Sequence, residues 1–430
     1  MISEPALTGP AGGGQMMAHT AAGESCLYDF FVNTPRAAAD DDTDFFKVTV
    51  HFASANQDFH IGRGSVAVPG TAAGLLRVHS DLGRLLLGDV IKPACRLAVE
   101  GVALAPVQAQ FLDLLAPILT RESAGRALYA PTGRTLAAGE QFRNPMLAAT
   151  LKELVKEGAG LFYEGEIGGR LAAWAGRGGL VLQQDLQAYR VVCREPLRAH
   201  FRGCTLLLNP PPAKNGAKIG TILGQLSTLP EPALAHVVSA LAQTHPDVRA
   251  ADAGSTTHLS VLDRQGNAAS VTTTNGEGCG FLLPETGVMP NNMLGEEELN
   301  PDGFLRGRPG VRLATAIAPT IALRNGEPVL LTGSAGSERI LSALAQVMFR
   351  HLYGGETIAA ATEAPRAHLE GSTLHVEPGL GEELLSGLDD SFTLHKWPAP
   401  SVFFGGVNSV TPTEAVADSR RGGCALVVSD

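Results

Sequence analysis

The chain has 430 residues, of which 44% are hydrophobic and 18% are charged, so it can bury a sizeable core and does not have the composition of a disordered chain. Its formal net charge of −10 argues against nucleic acid or an acidic membrane surface as the partner. The 6 cysteines are scattered without the spacing of a zinc site, and no apolar run reaches transmembrane length. This composition best suits a protein with a small-molecule partner.

Three stretches in the first half of the chain predict helices. Apolar residues recur at helical spacing over 71–88 and again over 146–157. A shorter helix is expected within 179–189. The periodicity of the first stretch places Leu85 and Leu86 on its buried face.

Other stretches of the first half are less regular. Residues 9–14 are glycine-rich and are expected to form a loop, and residues 15–31 are expected to contain a strand that ends near Asp29. Between Pro230 and Ser255 the sequence loses a clear core-facing stripe. This pattern favours an exposed joint that can be cleaved.

The second half of the chain has the pattern of β-hairpins. Residues 256–274 form two strand-like runs around a polar turn, and residues 319–332 repeat this design around Asn325-Gly326, the strongest short hairpin signal. Helical spacing returns over 338–352. Helices in the first half and hairpins in the second predict a layered α+β fold rather than alternating βαβ units.

A Ser-Thr-Thr run, Ser255 to Thr257, stands where the predicted joint meets the first of these strands. A threonine at a strand entry is usually a turn residue or a β-former, so strand propensity favours a structural role. No G-x-S-x-G nucleophile elbow stands near a plausible triad, and no cysteine–histidine pair can be built from spacing. The residue pattern by itself leaves the function open.

A series of motifs, in the same order along nearly the whole chain, resembles the gamma-glutamyltransferase family. The processing-site signature of that family is similar to residues 256–261 here, followed by Asp263, Gly266-Asn267-Ala268 and Thr272. The other similar segments are 68–74, 162–165, 178–189, 210–212, 287–292, 319–320, 332–336, 364–366, and Asp418 with Arg420.

This resemblance implies the four-layer αββα sandwich of N-terminal-nucleophile hydrolases. It also implies that the chain cuts itself between Ser255 and Thr256 into fragments 1–255 and 256–430, which stay together as a heterodimer and form one domain. The Thr256 hydroxyl would attack the Ser255 carbonyl, and hydrolysis of the resulting ester would free the threonine amine. That amine, with an ordinary pKa near 8, would then serve as the base for the hydroxyl.

The resemblance assigns roles to further residues. Thr274 corresponds to the family threonine whose hydroxyl holds the nucleophile in place, and Asn275 to a substrate-binding asparagine. Gly336 and Ser337 stand where a Gly-Gly pair offers two main-chain N–H groups to the oxyanion, and a serine is compatible because main-chain donors do this work. For His258, strand alternation favours a structural role over a catalytic one.

The departures from the family pattern concern recognition of the acyl group. Phe31 occupies the place of the arginine that clamps the α-carboxylate of a γ-glutamyl group, and phenylalanine cannot make a bidentate carboxylate contact. Arg36 is the candidate substitute. The carboxylate-binding Ser-Ser pair is replaced by Ala314 and Thr315, whereas Glu296 matches the acidic residue that holds the substrate amino group.

Between Glu298 and Arg312 the chain is too short for the lid loop of many family members, which predicts an open pocket. The expected function is cleavage of γ-glutamyl amides such as glutathione, with transfer of the acyl group to water or an amino acceptor. The alternatives are a cephalosporin- or glutaryl-type acylase and a non-catalytic relative.

The expected partner is a small-molecule amide, without a cofactor or a metal, a nucleic acid or a membrane. The sequence shows no export signal, so a cytoplasmic location is expected. A periplasmic or secreted location is the alternative if the natural N-terminus is longer.

Overall fold

The computed structural model describes residues 1–51, 56–244, 256–380 and 392–428. The chain forms two compact units, each assembled from three stretches. Unit 1 comprises Met1–Gly14, Asp29–Val192 and Thr273–Leu313, and unit 2 comprises Gln15–Tyr28, Cys193–Thr272 and Ala314–Asp430. Each unit takes residues from both sides of the 255–256 bond. The division into 1–255 and 256–430 therefore concerns where the chain would be cut, and it stays a prediction.

The helices are α1 (Thr71–Leu82), α2 (Leu87–Glu100), α3 (Pro106–Leu114), α4 (Ala116–Leu119), α5 (Ser123–Tyr129), α6 (Pro145–Glu157), α7 (Gly160–Tyr163), α8 (Glu166–Ala172), α9 (Gln183–Ala188), α10 (Asn215–Ser227), α11 (Leu234–Thr244), α12 (Arg339–Leu352) and α13 (Ile358–Glu363). Helices α1 to α9 belong to unit 1 and α10 to α13 to unit 2. Within the four described ranges, no helix has both the length and the apolar character that a membrane crossing requires.

The strands are β1 (Gly13–His19), β2 (Ser25–Phe30), β3 (Phe46–His51), β4 (Asn56–Ile61), β5 (Val102–Ala103), β6 (Gln141–Phe142), β7 (Val192–Arg194), β8 (Leu197–Phe201), β9 (Cys204–Leu208), β10 (Thr257–Leu262), β11 (Ala268–Thr274), β12 (Thr320–Arg324), β13 (Glu327–Ala335), β14 (Ala367–Glu370), β15 (Thr373–Val376), β16 (Thr393–Lys396), β17 (Gly406–Val410) and β18 (Ala415–Val416).

Unit 1 is mainly helical, and two of its helices match the sequence predictions. The helix expected over 146–157 is α6, whose Leu147 and Leu154 are buried. The Asn144 side chain accepts a hydrogen bond from the Leu147 N–H at 3.0 Å and caps the N-terminus of α6. The short helix expected within 179–189 is α9.

The single helix predicted over 71–88 is wrong in its second half. Helix α1 ends at Leu82, because Gly83 adopts an extended conformation with ψ of 139°. Leu85 and Leu86, expected on the buried face, lie before α2 with exposed fractions of 67% and 77%. The apolar spacing of the sequence thus continues beyond the point where a glycine, a weak helix former, ends the helix.

Unit 2 contains most of two facing β-sheets, with strand orders β10-β11-β1-β2-β7 and β18-β17-β13-β12-β9-β8. Side chains from both sheets share one core, formed by Met17, Leu27, Ala268, Leu207, Ile321, Leu323 and Leu331. Helices α10 and α12 pack on the second sheet, α10 against β8 and β9 and α12 against β13 and β17. The α+β class expected from the sequence is confirmed.

Both predicted hairpins are present, as β10–β11 and β12–β13. At the second turn Asn325 and Gly326 have φ of 53° and 87°, the left-handed pair that a two-residue hairpin turn requires. The strand expected within 15–31 to end near Asp29 is β2, which ends at Phe30. A further strand, β1, precedes it and begins at Gly13 inside the predicted loop.

The sequence predicts an exposed joint between 230 and 255, and this prediction is wrong for the first part of that range. Residues 234–244 form α11, whose Ala235 and Val238 pack on β14 and β15 through Leu369 and Leu374. Small side chains carry this face, which is why the sequence pattern looked weak. Residues 245–255 lie outside the described residues.

The C-terminal segment of unit 2 is held by a buried charge network. Asp418 lies 2.6 Å from Arg366 and 3.2 Å from Arg420, and Arg420 lies 2.6 Å from Glu377. Burial would raise the pKa of Asp418, but Arg366 and Arg420 outweigh it and hold that pKa below its ordinary value. Two of the segments that resemble the family, 364–366 and 418–420, therefore meet in this buried charge network.

We predict that Asp418→Asn lowers the free energy of unfolding by about 3 kcal/mol, because it leaves two buried arginines without their shared carboxylate. Chemical denaturation at pH 7 measures this. Since the folded pKa of Asp418 lies below its unfolded value near 4, the wild-type advantage should shrink as the pH falls below about 4.

The matched control is Asp58→Asn, which breaks an exposed pair with Lys47 and should leave the unfolding midpoint nearly unchanged. An Asp418→Asn protein as stable as the wild type would show that this charge network does not stabilise the fold.

Candidate active site

Thr256 directly precedes β10 and is buried, with 6% of its surface exposed. Strand β10 forms one edge of the five-stranded sheet. Ser255, on the other side of the predicted cleavage bond, lies outside the described residues. The structure thus places the predicted nucleophile at a strand entry in a buried setting.

His258 holds β10 against the strands around it. Its Nδ1 lies 2.8 Å from Thr272 Oγ1 and its Nε2 lies 3.0 Å from Ser260 Oγ. Its ring packs on β13 so closely that a Cβ on Gly333 would lie 2.2 Å from it. The His258 carbonyl accepts a hydrogen bond of 3.0 Å from Asn408 in β17. These contacts support a structural role and fix the backbone two residues after Thr256.

Burial lowers the pKa of His258 from 6.5 to about 3. The imidazole is therefore neutral near pH 7, with one ring nitrogen that donates and one that accepts. Both nitrogens already have hydroxyl partners. His258 is thus poorly suited to act as the base for Thr256.

Gly336 and Ser337 connect the end of β13 to the start of α12. Their carbonyl oxygens accept hydrogen bonds of 3.0 Å from the N–H groups of Arg339 and Ile340. The Ser337 N–H belongs to the same trans peptide plane as the Gly336 carbonyl, so it points away from α12. This main-chain donor is therefore directed away from α12 at its N-terminus, the end of a helix at which anions bind.

Ser337 has φ of 53°, in the left-handed region that glycine enters without a steric penalty. The Gly-Gly pair of the family suits this conformation. A serine adopts it at a cost of about 1 kcal/mol.

Unit 2 brings the two predicted catalytic elements onto strands that touch. Strand β10 packs against β13 at the contact between His258 and Gly333. Thr256 lies two residues before His258, and Gly336 lies three residues after Gly333. The predicted nucleophile and the predicted oxyanion donors are therefore each within a few residues of one contact.

Thr315, also in unit 2, is buried and its hydroxyl accepts a hydrogen bond of 3.2 Å from the Ile317 N–H. Its carbonyl accepts one of 2.8 Å from the Lys214 N–H. The hydroxyl is oriented by this local turn, and its role in substrate binding stays a prediction.

In unit 1, polar side chains hold the main chain of the buried Phe31. Its N–H donates to Asp29 Oδ1 at 3.1 Å, and its carbonyl accepts from the Tyr189 hydroxyl at 2.7 Å and from the Arg312 guanidinium. The Arg312 guanidinium also lies 3.6 Å from the Asp29 carboxylate. A positive charge thus stands beside Phe31, supplied by a distant part of the sequence.

Both arginines in this neighbourhood are engaged by protein groups. Arg36, the substitute considered from the sequence, donates to Asp185 Oδ1 at 3.0 Å. Arg312, with a side chain only 9% exposed, donates to the Tyr189 hydroxyl at 2.5 Å as well as to Phe31. Sequence reasoning missed Arg312 because no local pattern marks a contact with a residue so far along the chain.

Thr274 and Asn275 follow one another at the end of β11. The Thr274 hydroxyl accepts a hydrogen bond of 3.0 Å from the Gly276 N–H. The Asn275 N–H donates to the Leu7 carbonyl at 3.1 Å, and its Nδ2 donates to the Met289 carbonyl at 2.9 Å. The structure therefore shows both residues shaping this loop, and their roles towards substrate stay predictions.

Glu296 lies against the same loop. A Cβ on Gly276, which has φ of 59°, would lie 2.3 Å from Glu296 Oε1 and 2.1 Å from Asn292 Oδ1. A glycine is required for this approach. Unit 1 thus brings Glu296 next to the loop of Thr274 and Asn275.

A solved structure described as a cephalosporin acylase from Bacillus halodurans has the same fold. The two superpose with a TM-score of 0.83 at 20% sequence identity, over 100% of this chain and 89% of that chain. The chain therefore has the same α+β fold as that protein.

The gamma-glutamyltranspeptidase family model matches residues 1–245 and 227–428, and the chain belongs to this family. It is 27% identical to an acylase ACY 1 proenzyme from Pseudomonas sp. (strain V22), over 90% of this chain and 79% of that protein. It is 26% identical to a glutathione hydrolase proenzyme from Bacillus subtilis (strain 168), over 100% of this chain and 85% of that protein. The family resemblance seen in the sequence is confirmed, and the relatives divide between acylases and glutathione hydrolases.

We predict that the stability contributed by a neutral His258 is lost as the pH falls below 6.5, because the unfolded state then takes up a proton that the folded imidazole refuses. Between pH 7 and pH 5 the wild type should lose about 2 kcal/mol more of its free energy of unfolding than His258→Gln, which cannot titrate. Denaturant titrations at the two pH values measure this, and equal losses in both proteins would disprove it.

Proposed function

We propose that the chain is a self-processing threonine amidohydrolase that cuts the Ser255–Thr256 bond and then uses Thr256 as its nucleophile. The observation that carries this proposal is the buried position of Thr256 at the entry to β10, the strand that packs on β13 just before Gly336 and Ser337. That relatives are described as proenzymes supports it further.

In the processing step, the Thr256 hydroxyl oxygen attacks the Ser255 carbonyl carbon and the peptide C–N bond breaks. The amide nitrogen takes a proton and becomes the Thr256 amine, and an ester joins Ser255 to the threonine oxygen. Water then hydrolyses this ester, which releases the Ser255 carboxylate and restores the hydroxyl.

In turnover, the new α-amino group takes the hydroxyl proton while the oxygen attacks a substrate amide. Its ordinary pKa near 8 leaves a useful neutral fraction at neutral pH. The carbonyl oxygen becomes an oxyanion, which the N–H groups of Gly336 and Ser337 stabilise. The C–N bond breaks, the amine leaves with the proton, and water or an amino acceptor takes the acyl group. His258, neutral and held by two hydroxyls, keeps β10 in place.

For the acyl group, we favour one that lacks the α-amino group of glutamate, such as a glutaryl group, over a γ-glutamyl group. Phe31 cannot hold a carboxylate, and both Arg36 and Arg312 are bound to protein groups. The second candidate is a γ-glutamyl amide such as glutathione. It is favoured by Glu296, whose carboxylate lies over Gly276 and suits an ammonium group.

We predict that the purified chain gives two bands on a denaturing gel, residues 1–255 and 256–430, and that Thr256→Ala gives one intact band and no amide hydrolysis. The reason is that both reactions need the same hydroxyl. N-terminal sequencing of the smaller fragment should begin at Thr256.

The neighbouring threonine provides the matched control, since Thr257→Ala removes an identical side chain and should leave cutting intact. A wild-type chain that stays whole in neutral buffer would instead favour the non-catalytic relative.

We predict that glutaryl p-nitroanilide is hydrolysed at least as fast as γ-glutamyl p-nitroanilide. Both substrates carry the same terminal carboxylate, but Phe31 cannot clamp it, so the α-amino group that only the second substrate carries would not be held in a fixed position. Release of p-nitroaniline measures both rates under the same conditions. Strict dependence on the glutamyl amine would overturn this preference and would assign the chain to the γ-glutamyl branch.

A further inference from the structure

A buried arginine lies beside the main-chain donors proposed for the oxyanion. Arg421, only 8% exposed, follows the segment that contains Asp418 and Arg420. Its Nη2 lies 3.4 Å from the place that a Cβ on Gly336 would take, and 3.4 Å from the Val402 carbonyl, to which it donates. The guanidinium group therefore lies next to Gly336.

Glycines at the end of the β13–β17 ladder make room for this side chain. The ladder ends where Ala335 pairs with Gly406, and the Arg421 stem crosses Gly406 so closely that a Cβ there would lie 2.6 Å from Arg421 Cδ. A Cβ on Gly336 would lie 2.9 Å from the Cα of Gly405. A larger residue at either glycine would displace the backbone or the arginine.

The buried arginines of this segment contact different parts of unit 2. Arg366 and Arg420 each lie within 3.2 Å of Asp418 and fasten the C-terminal segment. The Arg421 guanidinium lies against the turn that carries Gly336. A guanidinium stays protonated at any pH suitable for an assay, so this charge is permanent.

We infer that Arg421 is a positioning residue, which holds the Gly336–Ser337 turn in place and sets a fixed positive charge beside it. This inference rests on the proposed function. The negative charge that forms on the carbonyl oxygen in the transition state would be stabilised both by the two N–H groups and by the neighbouring cation. Buried surroundings strengthen such an interaction, because water does not screen it.

The test separates the contribution of the Arg421 charge to kcat from the contribution of its packing. Arg421→Met keeps the length of the side chain and removes its charge, so kcat should fall about tenfold to a hundredfold while KM stays within about twofold. Arg421→Lys keeps a cation and should retain kcat within about fivefold of the wild type. Ethylguanidinium added to Arg421→Ala should restore part of the lost kcat, and ethanol should not.

Turnover of a glutaryl or γ-glutamyl p-nitroanilide is counted per processed chain, from the gel bands of each preparation. Unfolding midpoints report the integrity of each variant, and Arg421→Gln replaces the methionine variant if that protein does not fold. Arg198→Met, at an exposed position of β8, is the control and should turn over like the wild type.

Equal kcat values for the lysine and methionine variants would overturn the role of the charge, whether both are active or both are impaired. Failure of the proposed function appears elsewhere, in a wild-type chain that is uncut and inactive. The two failures are therefore distinguishable.

Discussion

The close contact between the His258 ring and the Gly333 backbone is the constraint on which the candidate site depends. It joins β10 to β13 across the two sheets, and nothing larger than glycine fits beneath the ring. The imidazole stays neutral because its surroundings are dry, and its two nitrogens engage hydroxyls of β10 and β11. The strand that follows the proposed nucleophile is thereby fixed by packing and by neutral hydrogen bonds.

The buried arginines described above have distinct structural contacts. In unit 2, Arg366, Asp418 and Arg420 fasten the C-terminal segment, and the next residue, Arg421, reaches the turn of Gly336. In unit 1, Arg312 supports the main chain beside Phe31. An arginine therefore stands beside Phe31 in the structure, and its contacts there are with protein groups.

Sequence reasoning succeeded where the determining interactions are local. The Asn325-Gly326 turn and the apolar spacing of α6 and α12 lie within a few residues of each other. It failed at Leu85 and Leu86, where spacing continues after Gly83 has ended α1, and at α11, whose buried face is made of small residues. The roles proposed for Thr256 and Gly336 came from family motifs, while the contacts of Arg312 and Arg421 join distant positions and could only be seen in the fold.

The interleaving of the chain has a mechanical consequence. Strands β8 and β9 precede residue 255, yet β9 pairs with β12, with Leu207 opposite Ile321, inside the same sheet and over the same core. The break proposed after residue 255 would therefore free no independently folded piece, since every strand ladder that crosses it would have to melt first. The two fragments would therefore remain together in one folded protein after the backbone is cut.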